Sequence, residues 1–390
     1  MRFRVERDVF AEAVAWAARS LPVRPPVPVL AGLLLEVSDS PAGLALSSFD
    51  YEVSANAQID VSAAEAGRAL VSGRLLAEIS RSLPAQPVDV SIEGTRVVVS
   101  CGSARFTLPT LPVDDYPALP EMPTTAGTIG ADVFAAAVSQ VAIAAGRDDT
   151  LPVLTGVRIE IEDDRVTLAA TDRYRLAVRE LRWQPERAGL SIVALVPART
   201  LADTAKAFVG GAQVTVSLSA SGSGEGLIGF SGRGAAAQTG QRRTTTRLLD
   251  GEYVKYRSLL PDDSAAHALL ETASFVEAVK RVSLVAPRNT PVRLTFTDDQ
   301  VTLEAGTTDD AQALESLDAK FVSRDGSTEE FSIAFNPTYL LDGLGAVEGE
   351  TTRIDFTSPT KPAVLRSSKE ADASSGDDYR YLLMPVRLSG

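Results

Sequence analysis

Serine, histidine and aspartate, the residue types of a nucleophilic triad, occur together at Asp262-Asp263-Ser264-Ala265-Ala266-His267. A triad is defined by geometry rather than closeness in the chain. This stretch reads as a loop entering a strand, so His267 is expected to be an exposed structural residue. The pairs Asp148-Asp149 and Asp309-Asp310 have the chemistry of magnesium ligands. Each sits in a turn-like context without a companion cluster, which fits helix capping or turn formation better. Gly222, Gly224 and Gly226 lack the lysine–serine/threonine pair and following helix of a phosphate-cradling loop. The one cysteine, Cys101, lies in Val99-Ser100-Cys101-Gly102 and reads as an inert strand residue. A single cysteine excludes an intrachain disulfide framework and multi-cysteine metal sites. A single histidine excludes mechanisms that need two imidazoles. No catalytic constellation, metal site or cofactor is expected, so the chemistry points to a binding protein rather than an enzyme.

The elements that could position a binding surface come next. The chain has 390 residues, 45% of them hydrophobic, enough for two or three domains with their own cores. Its net charge of −13 should repel nucleic acid and anionic membranes, unless the basic residues are segregated onto one face. The start MRFRVERDVF has no apolar signal region, and no run approaches about 20 apolar residues, so a soluble, cytoplasmic protein is expected.

One segment recurs: Asp8-Val9-Phe10-Ala11-Glu12-Ala13-Val14, Asp132-Val133-Phe134-Ala135-Ala136-Ala137-Val138, and Ser274-Phe275-Val276-Glu277-Ala278-Val279. Apolar residues at helical spacing (Phe10, Val14, Ala17; Phe134, Val138, Val141) follow a capping-type residue in each copy, predicting three equivalent helices. Val27-Pro28-Val29-Leu30-Ala31-Gly32 parallels Leu151-Pro152-Val153-Leu154-Thr155-Gly156, with Thr290-Pro291-Val292-Arg293-Leu294 a weaker third copy. β-rich runs follow at 43–59, 165–181 and 300–317, then second helices at 72–83, 197–208 and 336–347, then alternating strands such as 88–92 and 214–218. The repeat is far longer than the roughly 20–50 residues of a solenoid unit. The chain therefore reads as three duplicated α+β domains, at 1–122, 129–255 and 262–390, joined by linkers at 120–127 and 259–265. Residues 219–226 and 367–378 are low in complexity and read as mobile loops.

Ten basic residues fall on the expected helices and their ends: Arg19, Arg24, Arg74, Arg81, Arg147, Arg199, Lys206, Lys280, Arg281 and Arg288. Eight acidic residues share those segments, many in first turns where they suit the helix dipole. The helices thus carry a small positive charge inside an acidic chain. Such a lining suits a protein that surrounds DNA without gripping it, since each neutralised phosphate tightens sequence-independent binding.

Six segments, in order along the threefold repeat, carry a family resemblance. They are Arg24-Pro25 with Pro28-Val29-Leu30, Ser48-Phe49-Asp50-Tyr51, 144–152 (AAGRDDTLP), 171–176 (TDRYRL), 335–340 (FNPTYL) and 381–388 (YLLMPVRL). On these the chain resembles the bacterial DNA polymerase III beta subunits, the replication sliding clamps, and its actinobacterial members most. The resemblance implies an α+β fold of three clamp domains, each with two helices backed by antiparallel sheets, in a head-to-tail homodimeric ring around duplex DNA. The ring would tether the replicative polymerase. Arg24, Arg74, Arg81, Arg147, Arg199, Lys206, Lys280, Arg281 and Arg288 are the expected DNA-facing residues.

The resemblance also implies a hydrophobic pocket between the second and third domains, which takes short linear peptides of polymerases, the clamp loader and repair proteins. Its implied walls are Leu154, Thr171, Arg173, Tyr174, Arg175 and Leu176 from the second domain, and Val254 and Leu259 near the boundary. Asn336, Tyr339, Met384, Pro385, Val386 and Arg387 complete it from the third. Apolar and aromatic groups would supply the anchor and Met384 the adaptability, while Arg173, Arg175 and Arg387 would attract acidic residues or a C-terminal carboxylate. At the subunit boundary, Phe106 and Leu108 are expected to face Leu284; the alternative is that their strand belongs to the first domain's own core. One departure stands out: many clamps have an aromatic residue followed by proline at the rim, and this sequence has Tyr253-Val254. Valine restores a backbone donor and frees φ. It favours an alternative reading, a paralogous clamp whose altered pocket gives inhibitor tolerance or a regulatory role.

Overall fold

The computed structural model describes residues 1–39, 42–219, 226–234, 240–261, 263–286, 290–306, 311–326, 329–368 and 378–387. Arg288, Asp262, the Asp309-Asp310 pair, Gly222, Gly224 and most of both low-complexity segments lie outside the described residues.

The described residues form six α-helices: α1 (Arg7–Ala17), α2 (Gly73–Ser82), α3 (Ala131–Ala142), α4 (Ala198–Phe208), α5 (Thr272–Ser283) and α6 (Pro337–Ala346). In α1 the periodic residues Phe10, Val14 and Ala17 are fully buried. Removing Phe10 and Val14 from water stabilises the fold by roughly 2 kcal/mol each. The expected capping residues fall inside their helices instead. α1 follows Glu6, and Asp8 sits in its first turn. α5 is capped by Glu271, whose carboxylate accepts hydrogen bonds from the Ala273 and Ser274 amides. These bonds, the Ser274 contact foremost, hold the Glu271 carboxyl below the usual carboxylate range.

Two compact bodies emerge. One comprises Met1–Ala136, Trp183–Leu190 and Arg199–Leu248; the other comprises Ala137–Arg182, Ser191–Ala198 and Leu249–Gly390. The central repeat is therefore divided between them. Among the described residues, the first body holds a continuous antiparallel ladder of fourteen strands, and the second holds a nine-stranded and a four-stranded sheet. In the first, Gln241–Arg247 of the central repeat pairs with Val53–Ile59 of the first repeat, Thr245 opposite Ser54. In the second, Asp378–Leu383 of the third repeat pairs with Arg175–Arg182 of the central one, Leu382 opposite Leu176. Each repeat boundary is thus a strand-to-strand seam. Gln241–Arg247 is polar in sequence, but β-branched Thr244, Thr245 and Thr246 suit a strand and are buried. Ser54 and Thr245 satisfy each other across the seam at 2.6 Å.

Two details depart from the expected repeat. Residues 125–127, assigned to the first linker, open the strand Thr125–Gly130. The copies at Pro28–Ala31 and Pro152–Thr155 are 3-10 turns, whereas the third copy runs straight into the strand Val292–Phe296.

Candidate functional site

The site begins at a four-residue turn, Asp172–Arg175. Asp172 Oδ1 accepts hydrogen bonds from the Tyr174 and Arg175 amides at 3.0 and 3.1 Å. The Thr171 hydroxyl donates to the Arg175 carbonyl at 2.6 Å and accepts from the Arg173 amide at 3.2 Å. This geometry holds Arg173 at φ +79°, a left-handed conformation uncommon outside glycine. It projects Tyr174 outward, 54% exposed, and turns Arg175 inward, 5% exposed.

Facing the turn is α6. Asn336 caps it, its side-chain oxygen accepting from the Thr338 and Tyr339 amides, and Pro337 occupies the first turn. The cap places Tyr339 stacked on Tyr174, with centroids 6.2 Å apart and planes at 24°. The Arg175 guanidinium lies 4.4 Å from the Tyr339 ring centroid. It donates to Asp172 at 3.0 Å, Asp342 at 2.5 Å and the Tyr381 hydroxyl at 3.4 Å. Burial works against the Arg175 charge, but Tyr381, Asp342 and Asp172 outweigh it and raise its pKa further.

These groups frame a cleft of about 500 Å³, completed by Ala145, Gly146, Arg147, Asp148, Leu151, Leu154, Arg173 and Thr338. The Thr150 hydroxyl and amide both bond Asp148, at 2.6 and 3.0 Å. Those bonds, helped by Arg173, hold the Asp148 carboxyl below its ordinary value. The Asp148-Asp149 pair therefore begins a turn, and among the described residues no cluster of three acidic, histidine or cysteine side chains could hold a metal.

The expected pocket residues separate into three groups. Leu154, Arg173, Tyr174, Arg175 and Tyr339 line the cleft. Thr171 and Asn336 act on the backbone, one in the turn and one as a cap. Leu176 is 1% exposed, in an apolar cluster with Val178, Tyr253, Tyr256 and Leu382. The chain next to this cluster exposes Val254, Leu259 and Met384, each between 38% and 50%. The Val254 carbonyl accepts from the Tyr256 amide at 2.8 Å, and the Met384 amide donates to the Tyr174 carbonyl at 2.9 Å. Pro385 and Val386 are half-buried and Arg387 is exposed. Arg175 was expected to attract acidic ligands, but it is already neutralised by Asp172 and Asp342. Arg147, expected on the DNA-facing set, lines the cleft as well.

Among the other expected DNA-facing residues, Arg24, Arg74, Arg81, Arg199 and Lys206 are exposed. Lys280 and Arg281 are exposed and sit beside carboxylates, Glu277 at 2.8 Å and Glu315 at 3.0 Å. At the expected subunit boundary, Phe106 is half-buried and Leu284 is 84% exposed. Leu108, at 1% exposure, packs in its own domain's core, because alternate residues of its strand face inward. Leu314, 71% exposed on the edge strand Gln312–Asp318, was missed. Its sequence, QALESLD, has no apolar alternation to signal it. His267 lies on the strand Ala266–Glu271, not in a loop, and burial followed by Arg353 lowers its pKa.

A repeated α+β module, seamed strand to strand and carrying a recess of tyrosine and arginine, defines a scaffold that holds partners. Three family models match the chain: the DNA polymerase III beta subunit N-terminal domain over residues 1–120, its central domain over 128–255 and its C-terminal domain over 257–387. The chain belongs to the DNA polymerase III beta subunit family. It is 61% identical to the beta sliding clamp of Streptomyces coelicolor over 390 residues, covering all of both chains. It is 44% identical to the beta sliding clamp homolog GriR of Streptomyces muensis over 388 residues, again covering both in full. It superimposes with a TM-score of 0.87, at 25% identity and complete coverage of both chains, on the crystal structure of the Pseudomonas aeruginosa sliding clamp bound to griselimycin.

Proposed function

We propose that two copies of this chain close head to tail into a ring around duplex DNA. The ring tethers the replicative DNA polymerase and recruits the clamp loader and repair proteins through the Tyr174–Tyr339 cleft and the apolar patch beside it. It acts in the cytoplasm; no helix among the described residues is long and apolar enough to cross a membrane. The domain limits 1–122, 129–255 and 262–390 belong to the same reading.

The observation that carries the ring is a strand seam used twice, with its two halves left over at the ends. The repeats' hairpins close on the pairs Phe49–Ser54, Thr171–Leu176 and Gly306–Gln312. Their closing strands match at Val97–Leu108, Ile228–Thr246 and Ala363–Leu383. Thr246 faces Val53 and Leu383 faces Arg175. Gln312–Asp318 is the edge of its sheet, paired only with Gln300–Gly306 among the described residues. The same register would put Arg105 of one copy opposite Leu314 of a second, and Phe106 opposite Ala313. An exposed apolar edge strand otherwise invites aggregation.

The higher identity to the Streptomyces coelicolor clamp than to GriR supports the replicative reading over a specialised paralogue. The test is retention. Loaded by its clamp loader, the protein should stay on nicked circular plasmid in high salt and be lost rapidly once the plasmid is cut to a linear form. Equal retention on both forms would mean ordinary electrostatic binding and would end the ring proposal.

A further inference from the structure

The first body contains a second recess, built from the same segments one repeat earlier. Its turn, Asp50–Val53, repeats the Asp172–Arg175 geometry. Asp50 Oδ1 accepts from the Glu52 and Val53 amides at 3.0 and 2.6 Å, and Tyr51 stands at φ +75°. α4 takes the place of α6. Thr200 is its third residue and Asp203 its sixth, as Tyr339 and Asp342 are in α6.

The fillings differ. In the second body Arg175 and Tyr339 occupy the recess. Val53 and Thr200 stand at the equivalent places and are smaller, and the cleft there, of about 280 Å³, has an apolar wall that includes Trp16, Leu21 and Val53. Trp16 is held in place by the Arg242 guanidinium, 5.7 Å from its ring, and Arg242 is in turn bonded to Glu12 and the Ala207 carbonyl. Arg19 and Arg199 line the cleft, are exposed, and take part in no ion pair among the described residues. The Asp50 carboxylate is committed to its own turn. Asp203, one helical turn from Arg199, is exposed and not paired with it. Buried Thr204 and Thr244 add hydroxyls to the wall.

From this geometry we infer that the cleft is a second docking site for a short acidic peptide. One apolar side chain lies against Trp16, and a neighbouring carboxylate meets Arg19 and Arg199. Guanidinium pairs favour carboxylates through charge-assisted hydrogen bonds, and an aromatic wall beside them supplies the anchor. A volume of 280 Å³ sits just under the range of small-ligand pockets, so the site accepts one anchor and binds weakly. It does not depend on the Tyr174–Tyr339 cleft being a peptide site.

The chain has two tryptophans, Trp16 and Trp183, so full-length protein labelled with 5-fluorotryptophan gives one ¹⁹F resonance from each. Trp183 packs against Gly127, away from the cleft lining, and serves as the internal reference. The probe is the tripeptide N-acetyl-Asp-Phe-Asp-amide. The Trp16 signal should shift saturably with a Kd of roughly 1 mM, while Trp183 stays still. Arg19→Glu and Arg199→Glu, both at exposed positions, should each weaken that binding about tenfold, and Tyr339→Ala should leave the Trp16 shift intact. A Trp16 signal unmoved at about ten times that concentration would overturn the inference, as would a shift indifferent to both charge reversals. A short DNA duplex that moves Trp16 where the tripeptide does not would overturn it too, assigning the cleft to phosphate.

Discussion

The turns at Asp50–Val53 and Asp172–Arg175 share a backbone and diverge in every side chain after the aspartate. In both, one carboxylate oxygen organises two amides, and the next residue takes a positive φ. Only the second carries an arginine inward to two carboxylates and onto a tyrosine face. Duplication has kept the frame and spent its variation on what the frame presents.

Three paired comparisons probe that contrast. The largest effect is expected at Arg175→Ala, which leaves Asp172 and Asp342 without their shared cation. Breaking a largely buried pair should cost about 3 kcal/mol in urea unfolding, against about 1 kcal/mol for the equivalent Val53→Ala. Similar losses at both positions would mean that the arginine network adds nothing to its turn. A smaller effect separates the residues at positive φ. Arg173→Gly relieves about 1 kcal/mol of left-handed strain and gives back somewhat less in chain entropy, so stability should rise by about 0.5 kcal/mol. Tyr51→Gly also loses the edge-on contact with Phe49, at 5.6 Å and 66°, and should come out about 1 kcal/mol worse than Arg173→Gly.

The smallest effect concerns pH. The Asp148 pKa is depressed in the fold by its Thr150 bonds and then by Arg173. Its contribution is fully present above the unfolded carboxyl value and is lost as pH falls through the lower folded value. The Asp148 share of fold stability should therefore hold level from neutral pH to about pH 5 and decline only below about pH 4. The first-body recess has Arg24 in place of Asp148 in the repeat alignment, so Arg24→Ala should leave the acid limb of unfolding unchanged where Asp148→Asn flattens it. Urea unfolding of the two variants across that range distinguishes them.

The helices were legible because a period of 3.6 survives duplication: Phe10 and Phe134 mark the same place in two repeats. Their starts were less so. Asp8 and Ser274 look like caps, but Glu271 reaches the α5 amides from outside the periodic stretch. The seam strand Gln241–Arg247 was invisible to a search for apolar alternation, because hydrogen-bonded threonines fill its buried positions. At the site, the resemblance supplied the tyrosines, whereas the turn lies inside the run 165–181 that reads only as β-rich. The free charge expected of Arg175 was misjudged, since neutralisation by a distant aspartate depends on three-dimensional proximity.

Pairing of Gln241–Arg247 with Val53–Ile59 has a further consequence for the connecting peptide around Pro120–Thr124. That stretch is a leash rather than a joint. A protease cut there would leave the first repeat zipped to its neighbour by a row of amide–carbonyl bonds, and the severed protein would still migrate as a single particle until the strands themselves were melted apart.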